Sequence, residues 1–503
     1  MILTKIQQNI VDTTGNLIVR ASAGTGKTHT MVRKIIKEIE ENKSHKVIAA
    51  ITFTIKAATE IKERLTIDVS EHFIGTNNSF VIGEIIEPFI RDVYGSEYDL
   101  DLDTDYSLRV DNFENGLNKI RDDGILCSYR DTKKNFIFEL AQNIVENSEA
   151  CRLYLKAKYF KIYIDEYQDC DKDMHNLFMY LCEQLGIETF VVGDEKQSIY
   201  IWRGAYPEAF KSIYEKENFN KIFMGDNFRS CQQIQNYSNL LFEETKDLYV
   251  KDKENHIIWI NTNNELWAQK VREHIDETKK TALLRFSNNN AKQGATDLSK
   301  YDIDFVYIPQ LPIATITNES AWLYLAIANY IVLEHYSVYD FISEIPVEGE
   351  KSRKSISQIT TYLKGIQDTI KSHNRNKFEE KLEELFNYLG YIIKEDYIDK
   401  LYKTVTDENL YVAFEPEKYN NIAITFHSSK GLEFDQVIVF AEDYRLDDMV
   451  SIYNHYVAVT RAKVKLIIVK IDNYNSNLFE SNIRKIFYES KVKLENVICF
   501  SSY

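Results

Sequence analysis

The sequence predicts an α/β protein built on two parallel-sheet cores, and three observations carry that expectation. A strand, a glycine-rich turn and a helix follow one another in GNLIVRASAGTGKTHTMVRKIIKEIEE, residues 15–41. Two continuous apolar runs, YFKIYIDE (159–166) and IETFVVGD (187–194), each end in acid, as buried parallel strands do at their carboxyl edge. The same strand–turn–helix order returns far downstream in NNIAITFHSSKGLEFDQVIVFAE (420–442) and NHYVAVTRAKVKLIIVKID (454–472), so a second sheet is expected there.

Taken in order, Ile18 and Val19 form a short β-branched run, and Met31, Ile35, Ile36 and Ile39 recur at helical spacing. KVIAAITFTIKAATEIKERL (46–65) repeats the pattern. From Asp68 to Lys156 the chain is mixed and mostly helical, with polar loops such as YGSEYDLDLDTDY (94–106). A second mixed region, about 264–414, carries amphipathic helices such as KFEEKLEELFNYLGYIIKE (377–395). The expected division is a first core from 1–67 and 157–235, an insert at 68–156, a second core from 236–290 and 415–503, and an insert at 291–414. Internal repeats and low-complexity tracts are absent from the sequence.

The 503 residues suffice for two to four domains. Hydrophobic residues at 44% and charged residues at 27% argue against disorder. The first residues, MILTKIQQNIVDTTGNLIV, lack a basic stretch followed by an apolar one, and no apolar run reaches membrane-span length. A cytoplasmic location and no membrane partner are therefore expected. Cys127, Cys151, Cys170, Cys182, Cys231 and Cys499 lie scattered without a CxxC pair, which argues against zinc, iron–sulfur and disulfide frameworks. The net charge of −16 excludes nucleic-acid binding by bulk positive charge. Any such site must be a local groove.

Ala21–Thr28, ASAGTGKT, has the form of a phosphate-binding loop. Gly24 and Gly26 let successive amides face a phosphate, and the following helix aims its positive end at the same place. Lys27 reaches β- and γ-phosphates, and the Thr28 hydroxyl is a magnesium ligand. The acid cluster at 165–173 invites a calcium reading, since Asp169, Asp171 and Asp173 alternate as an EF-hand begins. That loop needs glycine at its sixth position and glutamate at its twelfth; here stand Met174 and Tyr180. Calcium is rejected. The strand-end pair is instead expected to serve the phosphate loop, Asp165 holding magnesium through its water shell and Glu166 orienting and deprotonating the attacking water. Asp171 and Asp173 then read as the solvated start of the next helix. In VVGDEKQSIYIWRGA (191–205), Gln197 is a candidate γ-phosphate contact, and Tyr200 and Trp202 are candidate stacking surfaces for single-stranded nucleic acid. Arg229 in DNFRS and Arg461 in AVTRAK are candidate arginine clamps for the γ-phosphate.

In order, these segments resemble the superfamily 1A helicases related to UvrD, PcrA and Rep. LTKIQQNIV (3–11) is similar to their Q motif, which makes Gln7 an adenine contact by resemblance. ASAGTGKT resembles motif I, so Ala21, Ser22, Ala23, Gly24, Thr25, Gly26, Lys27 and Thr28 are its ATP-binding residues. AAITFTIKAA (49–58) resembles motif Ia, with Ile55 where asparagine is usual and with Phe53 and Thr54 as DNA contacts. IGTNNSF (74–80) stands where the family has GTxHSF, Asn78 replacing the histidine. IDEYQD is similar to motif II, GDEKQSIYIWRGA to motif III, and NFRS to motif IV with Phe228 in place of an adenine-stacking tyrosine. TFHSSKGLEFDQV (425–437) and YVAVTRAK (456–463) resemble motifs V and VI, which adds Glu433 to the ATP site and His427 to the DNA contacts.

The resemblance implies two RecA-like P-loop NTPase cores with reduced 1B and 2B inserts. It also implies ATP (or another NTP) with Mg2+, and 3′–5′ polarity on DNA. Several longer stretches, including FIGTNNSFVIGEIIEPFIRD (73–92), closely resemble the helicase-like subunits of the Gabija anti-phage defence system. That likeness implies an OLD-family ATPase/Toprim nuclease partner in one large complex, activated by DNA ends or single strands. The chain ends soon after TRAK, so cutting is expected to fall to another protein. Of a processive helicase, a DNA-sensing NTPase switch and a non-catalytic assembly subunit, the last is disfavoured, because every motor residue is present. The short inserts and negative charge favour a DNA-stimulated ATPase whose unwinding is weak or partner-dependent.

Overall fold

A computed structural model describes residues 3–98, 101–199, 204–252, 254–316, 320–345 and 353–501. Its strands are β1 (Leu17–Ala21), β2 (Val47–Thr52), β3 (Phe73–Thr76), β4 (Asp103–Val110), β5 (Ile125–Tyr129), β6 (Tyr159–Ile164), β7 (Glu188–Gly193) and β8 (Asn220–Met224). They continue as β9 (Ile257–Thr262), β10 (Thr281–Arg285), β11 (Val306–Tyr307), β12 (Asn421–Thr425), β13 (Phe434–Phe440), β14 (Ala462–Ile471) and β15 (Cys499–Phe500). The chain forms two compact units. One comprises Met1–Leu102, Ser107–Phe305 and Asn420–Tyr503; the other comprises Asp103–Tyr106 and Val306–Tyr419.

The first unit holds two parallel sheets. In the first the order is β3-β2-β6-β7-β1-β8, with Val19 opposite both Val192 and Ile222. The inner strands are mostly apolar and buried, β2 along its whole length, as expected of a parallel sheet covered on both faces, with no solvated side to demand alternation. Ile18, Ile48, Ile51, Ile164 and Val191 are wholly buried. In the second sheet β12, β10, β13, β14, β9 and β15 succeed one another, all parallel. Parallel pairing places the carboxyl ends of β1, β6 and β7 along one edge, which is where the loops that carry chemistry emerge.

The segment expected to open the first insert contributes β3 to the first sheet, pairing Ala49–Thr52 of β2 with Phe73–Thr76. Its four residues are too short to signal a strand by periodicity. The helices Asn77–Val81, Glu87–Tyr94, Phe113–Asp123, Phe136–Asn147 and Glu149–Lys158 follow it, with β4 and β5 as a separate two-stranded ribbon.

The second unit is helical around its own core. Trp322, Leu323 and Ile327 of the helix Ala321–Val332 meet Leu363, Phe378, Leu385 and Leu401 of three later helices. Within this unit Lys394 lies 3.5 Å from the carboxylates of Asp103 and Asp105. Among the described residues, no helix is long and apolar enough to cross a membrane.

Candidate nucleotide site

The phosphate-binding loop joins β1 to the helix Lys27–Glu41. Gly24 (φ 74°) and Gly26 (φ 79°) lie in the left-handed region, which glycine enters without steric cost. Gly26 caps the helix without a side chain, so the first-turn amides are open to an anion. The loop is braced from within, Thr25 Oγ1 donating to the Ser22 carbonyl at 2.9 Å. Gln7 is buried beside it. Its amide nitrogen donates to the Thr25 carbonyl at 3.2 Å, and its oxygen accepts from Thr4 N in a capping box.

Lys27 Nζ lies 3.3 Å from Glu166 Oε1, an ion pair without a well-aligned hydrogen bond, so a buried ammonium keeps donors for a further acceptor. Thr28 Oγ1 lies 3.4 Å from Asp165 Oδ2. Asp165 directly follows β6, and Glu166 after it adopts a left-handed conformation (φ 50°, ψ 39°), a backbone cost of about 1–2 kcal/mol for a residue with a Cβ. That turn lets Glu166 face Lys27. Its other oxygen accepts from Gln168 Nε2.

Burial, reinforced by the Glu166 charge, raises the Asp165 carboxyl to about 6, against the pull of Lys27. Burial pushes Glu166 the same way, but the Lys27 and Lys430 ammoniums outweigh it and hold that carboxyl well below its usual range. The two carboxylates are thus driven apart. One stays ionised, and the other gains most from a cation.

Hard oxygen donors on Thr28 and Asp165, beside open amides and an incompletely bonded lysine, fit a magnesium–polyphosphate. Mg2+ is commonly held by one or two carboxylates plus the phosphates themselves.

The segments after β7 and β8 of the first sheet, and the start of β14 in the second, bring the remaining candidates to the same place. Phe228 N donates to the Gly24 carbonyl at 2.9 Å, while the Phe228 ring is 56% exposed, free to meet a flat ligand. Arg229 pairs with Glu433 at 2.7 Å and donates to the Thr460 carbonyl at 3.2 Å. Arg461 is buried at the start of β14, donates to Val457 O at 2.9 Å, and reaches Gln197 Oε1 at 3.5 Å. Burial, then the neighbouring Arg229 charge, lowers its guanidinium to about 10, so an anion there would relieve both. Gln197 Nε2 donates to Asp194 Oδ2 at 2.9 Å. Lys27, Glu166, Gln197, Arg229 and Arg461 therefore converge, from chain positions as far apart as 27 and 461.

The DNA candidates divide. Phe53 is half-buried, and Thr54 is exposed and caps the helix Ile55–Arg64 by accepting from Ala57 N at 3.1 Å. His427 lies against Phe426, with ring centroids 3.8 Å apart and the planes tilted by 36°, and meets Phe286 edge-on. Tyr200 and Trp202 lie outside the described residues.

One expectation is corrected. Asp171 and Asp173 are not merely solvated. Asp171 caps the helix Lys172–Glu183 through Met174 N and also accepts from Asn135 Nδ2 at 2.8 Å, while Asp173 accepts from Asn135 N at 2.7 Å. The pair ties two helix starts together. Two residues of the site carry no signal in the sequence beyond their positions inside motif-like stretches: Lys430 pairs with Asp169 at 2.5 Å and lies 3.9 Å from Glu166, and the Tyr456 hydroxyl touches the phosphate-binding loop.

Comparison with known proteins accords with this geometry. An AAA domain family matches residues 6–203, and a UvrD-like helicase C-terminal domain family matches 422–469. The chain is 38% identical to Gabija protein GajB of Bacillus cereus over 501 residues, 98% of this chain and 99% of that protein. It is 27% identical to DNA helicase II of Haemophilus influenzae over 48% of this chain and 40% of that one. Against ATP-dependent DNA helicase PcrA of Staphylococcus epidermidis the identity is 23% over 92% of this chain and 82% of that one. With near-complete coverage of GajB and both helicase domains matched, the chain belongs to the GajB family and is an ATP-dependent helicase of the UvrD-like kind.

Proposed function

We propose that this chain is the DNA-stimulated, ATP-driven motor of a Gabija-type antiviral system. It acts in the cytoplasm with 3′–5′ polarity and senses DNA ends or single strands. An OLD-family ATPase/Toprim nuclease subunit is its partner. The observation that carries the motor reading is the convergence of Lys27, Glu166, Gln197, Arg229 and Arg461 from two sheets on one phosphate-binding loop. The partner and trigger rest on kinship with Gabija protein GajB.

In this reading residues 1–67 with 157–235 and residues 236–290 with 415–503 are the RecA-like cores 1A and 2A, carrying inserts at 68–156 and 291–414. The loop from Ala21 to Thr28 cradles the phosphates of ATP or another NTP, with Gln7 at the adenine end, Phe228 stacking on the base, and Glu433 holding Arg229 in place. Magnesium, bound through Thr28 and Asp165, would neutralise charge on the β- and γ-phosphates. Glu166 orients water and takes its proton, and Gln197 links the γ-phosphate to the segment bearing Tyr200 and Trp202. Arg229 and Arg461 supply positive charge where it develops in the transition state. Phe53, Thr54, Tyr200, Trp202 and His427 contact single-stranded DNA.

A strand-displacement assay on a 3′-tailed duplex tests the division of labour. Weak unwinding by the chain alone, enhanced by the nuclease subunit, is expected. Robust unwinding without a partner would establish the stand-alone repair helicase instead. Trp202→Ala should weaken single-strand stimulation more than nucleotide affinity; unchanged stimulation returns Trp202 to a packing role.

A further inference from the structure

Tyr456 lies on the helix Met449–Val459, which follows β13 in the second sheet, yet its hydroxyl is embedded in the first sheet's machinery. It accepts a hydrogen bond from Ala23 N at 3.1 Å and donates one to Asp194 Oδ2 at 3.0 Å. The side chain is 1% exposed and Asp194 is 2% exposed. Phe242 packs edge-on against the ring at 5.2 Å, and Lys196 Nζ lies 5.5 Å from its centroid.

Asp194 is the hub of this arrangement. It accepts from Tyr456 and from Gln197 Nε2, and pairs with Lys196 at 2.9 Å. Lys196 in turn donates to Ser22 Oγ of the phosphate-binding loop at 3.2 Å. Gln197 faces Arg461. A buried carboxylate needs all its donors, so withdrawing the phenol disturbs Gln197 and Lys196 as well as the Ala23 amide.

We propose that Tyr456 is a positioning residue for hydrolysis. Its hydroxyl holds the Ala23 shoulder of the phosphate-binding loop and the Asp194–Gln197 turn in register with Arg461, so that the second sheet sets the alignment of the γ-phosphate contacts. The inference rests on the motor reading given above. Tyr456 meets the Ala21–Thr28 loop at the Ala23 amide, whereas the grip on the β- and γ-phosphates comes from Gly24, Gly26, Lys27 and Thr28 further along it. Loss of the phenol therefore acts on turnover and leaves affinity in place.

The test is Tyr456→Phe, which keeps the ring and removes only the hydroxyl, in the full-length chain. DNA-stimulated kcat should fall about tenfold, the rate equivalent of one hydrogen bond to a charged group, with ATP Kd held within about twofold. Tyr237→Phe is the control: that phenol is equally buried, is bonded to His455 Nε2 at 2.8 Å and touches no nucleotide residue. It should leave kcat unchanged. An unchanged kcat in Tyr456→Phe, an equal loss in both variants, or a change in Kd alone would overturn the proposal.

Should Tyr456→Phe fail to fold, Asp194→Asn weakens the same bond from the other side and must lower kcat with Kd retained; normal turnover there overturns the proposal. Where both fold, their effects must be less than additive in the double variant, and strict additivity counts against coupling. Lys27→Ala separates the two levels. Hydrolysis surviving Lys27→Ala refutes the motor site itself, whereas an inactive Lys27→Ala beside a normal Tyr456→Phe refutes only the role of the phenol.

Discussion

Glu166→Gln should abolish turnover while tightening ATP binding, and the two effects have separable magnitudes. The substitution keeps length and shape and adds no branching, so the left-handed backbone at 166 is no harder to occupy. Removing the group that takes the proton from water should lower kcat by about 10²–10⁴-fold. The affinity change comes from the ion pair. Glu166 stands 3.3 Å from Lys27, and phosphate must compete with it for that ammonium. A unit-charge pair at this distance is worth about 1 kcal/mol at the dielectric of water and about 5 kcal/mol at an effective dielectric of 20. The Glu166 side chain is 30% exposed, which points to the screened end of that range. Binding should therefore tighten about tenfold. Fluorescent-nucleotide titration gives Kd, and phosphate release at saturating single-stranded DNA gives kcat. A variant that hydrolyses ATP at near the normal rate, or binds it more weakly, would refute the assignment of Glu166 and of its pairing with Lys27.

Two further predictions concern stability. Arg285→Met should cost about 3–5 kcal/mol, because it leaves the buried Asp443 carboxylate, now paired at 2.7 Å, without its cation. Urea unfolding should show most of that loss recovered by adding Asp443→Asn; no recovery would mean that Arg285 acts through its packing on Phe440. Burial raises the Asp171 carboxyl to about 6, so its protonated form favours the folded state. That contribution is complete below the unfolded value near 3.8 and is lost as pH rises through about 6. Asp171→Asn cannot ionise, and its stability relative to the parent should improve by at most about 2 kcal/mol between pH 4.5 and 7. A pH-independent difference between the two would contradict the burial of this group.

The parts of the site legible in the sequence are those whose chemistry is local. Gly24, Gly26, Lys27 and Thr28 fall within five residues, and the backbone physics that makes them a phosphate cradle needs no distant partner. The parallel sheets were legible for the same reason, since both-face burial writes itself into the inner strands as apolar runs such as VIAAI and LIIV. What periodicity missed was short or long-range. β3 has four residues, and Asp171 and Asp173 looked solvated because Asn135, which they bind, stands far upstream. Lys430 and Tyr456 meet Asp169 and Ala23 across more than two hundred residues. No local pattern marks a lysine or phenol for such a contact. Only the folded arrangement of two sheets does.

Gly24 has a consequence beyond its backbone angle. A Cβ built there would lie 2.4 Å from Asn227 Oδ1 and 2.8 Å from Arg229 Cβ. The missing side chain is thus a clearance through which the Asn227–Arg229 turn seats against the loop, Phe228 N bonding to the Gly24 carbonyl. Even a methyl group at 24 would act as a shim, lifting the turn that carries Arg229 and Phe228 away from the phosphates. One position therefore gauges how closely an arginine from outside the loop can approach the nucleotide, and its tolerance is smaller than a single carbon atom.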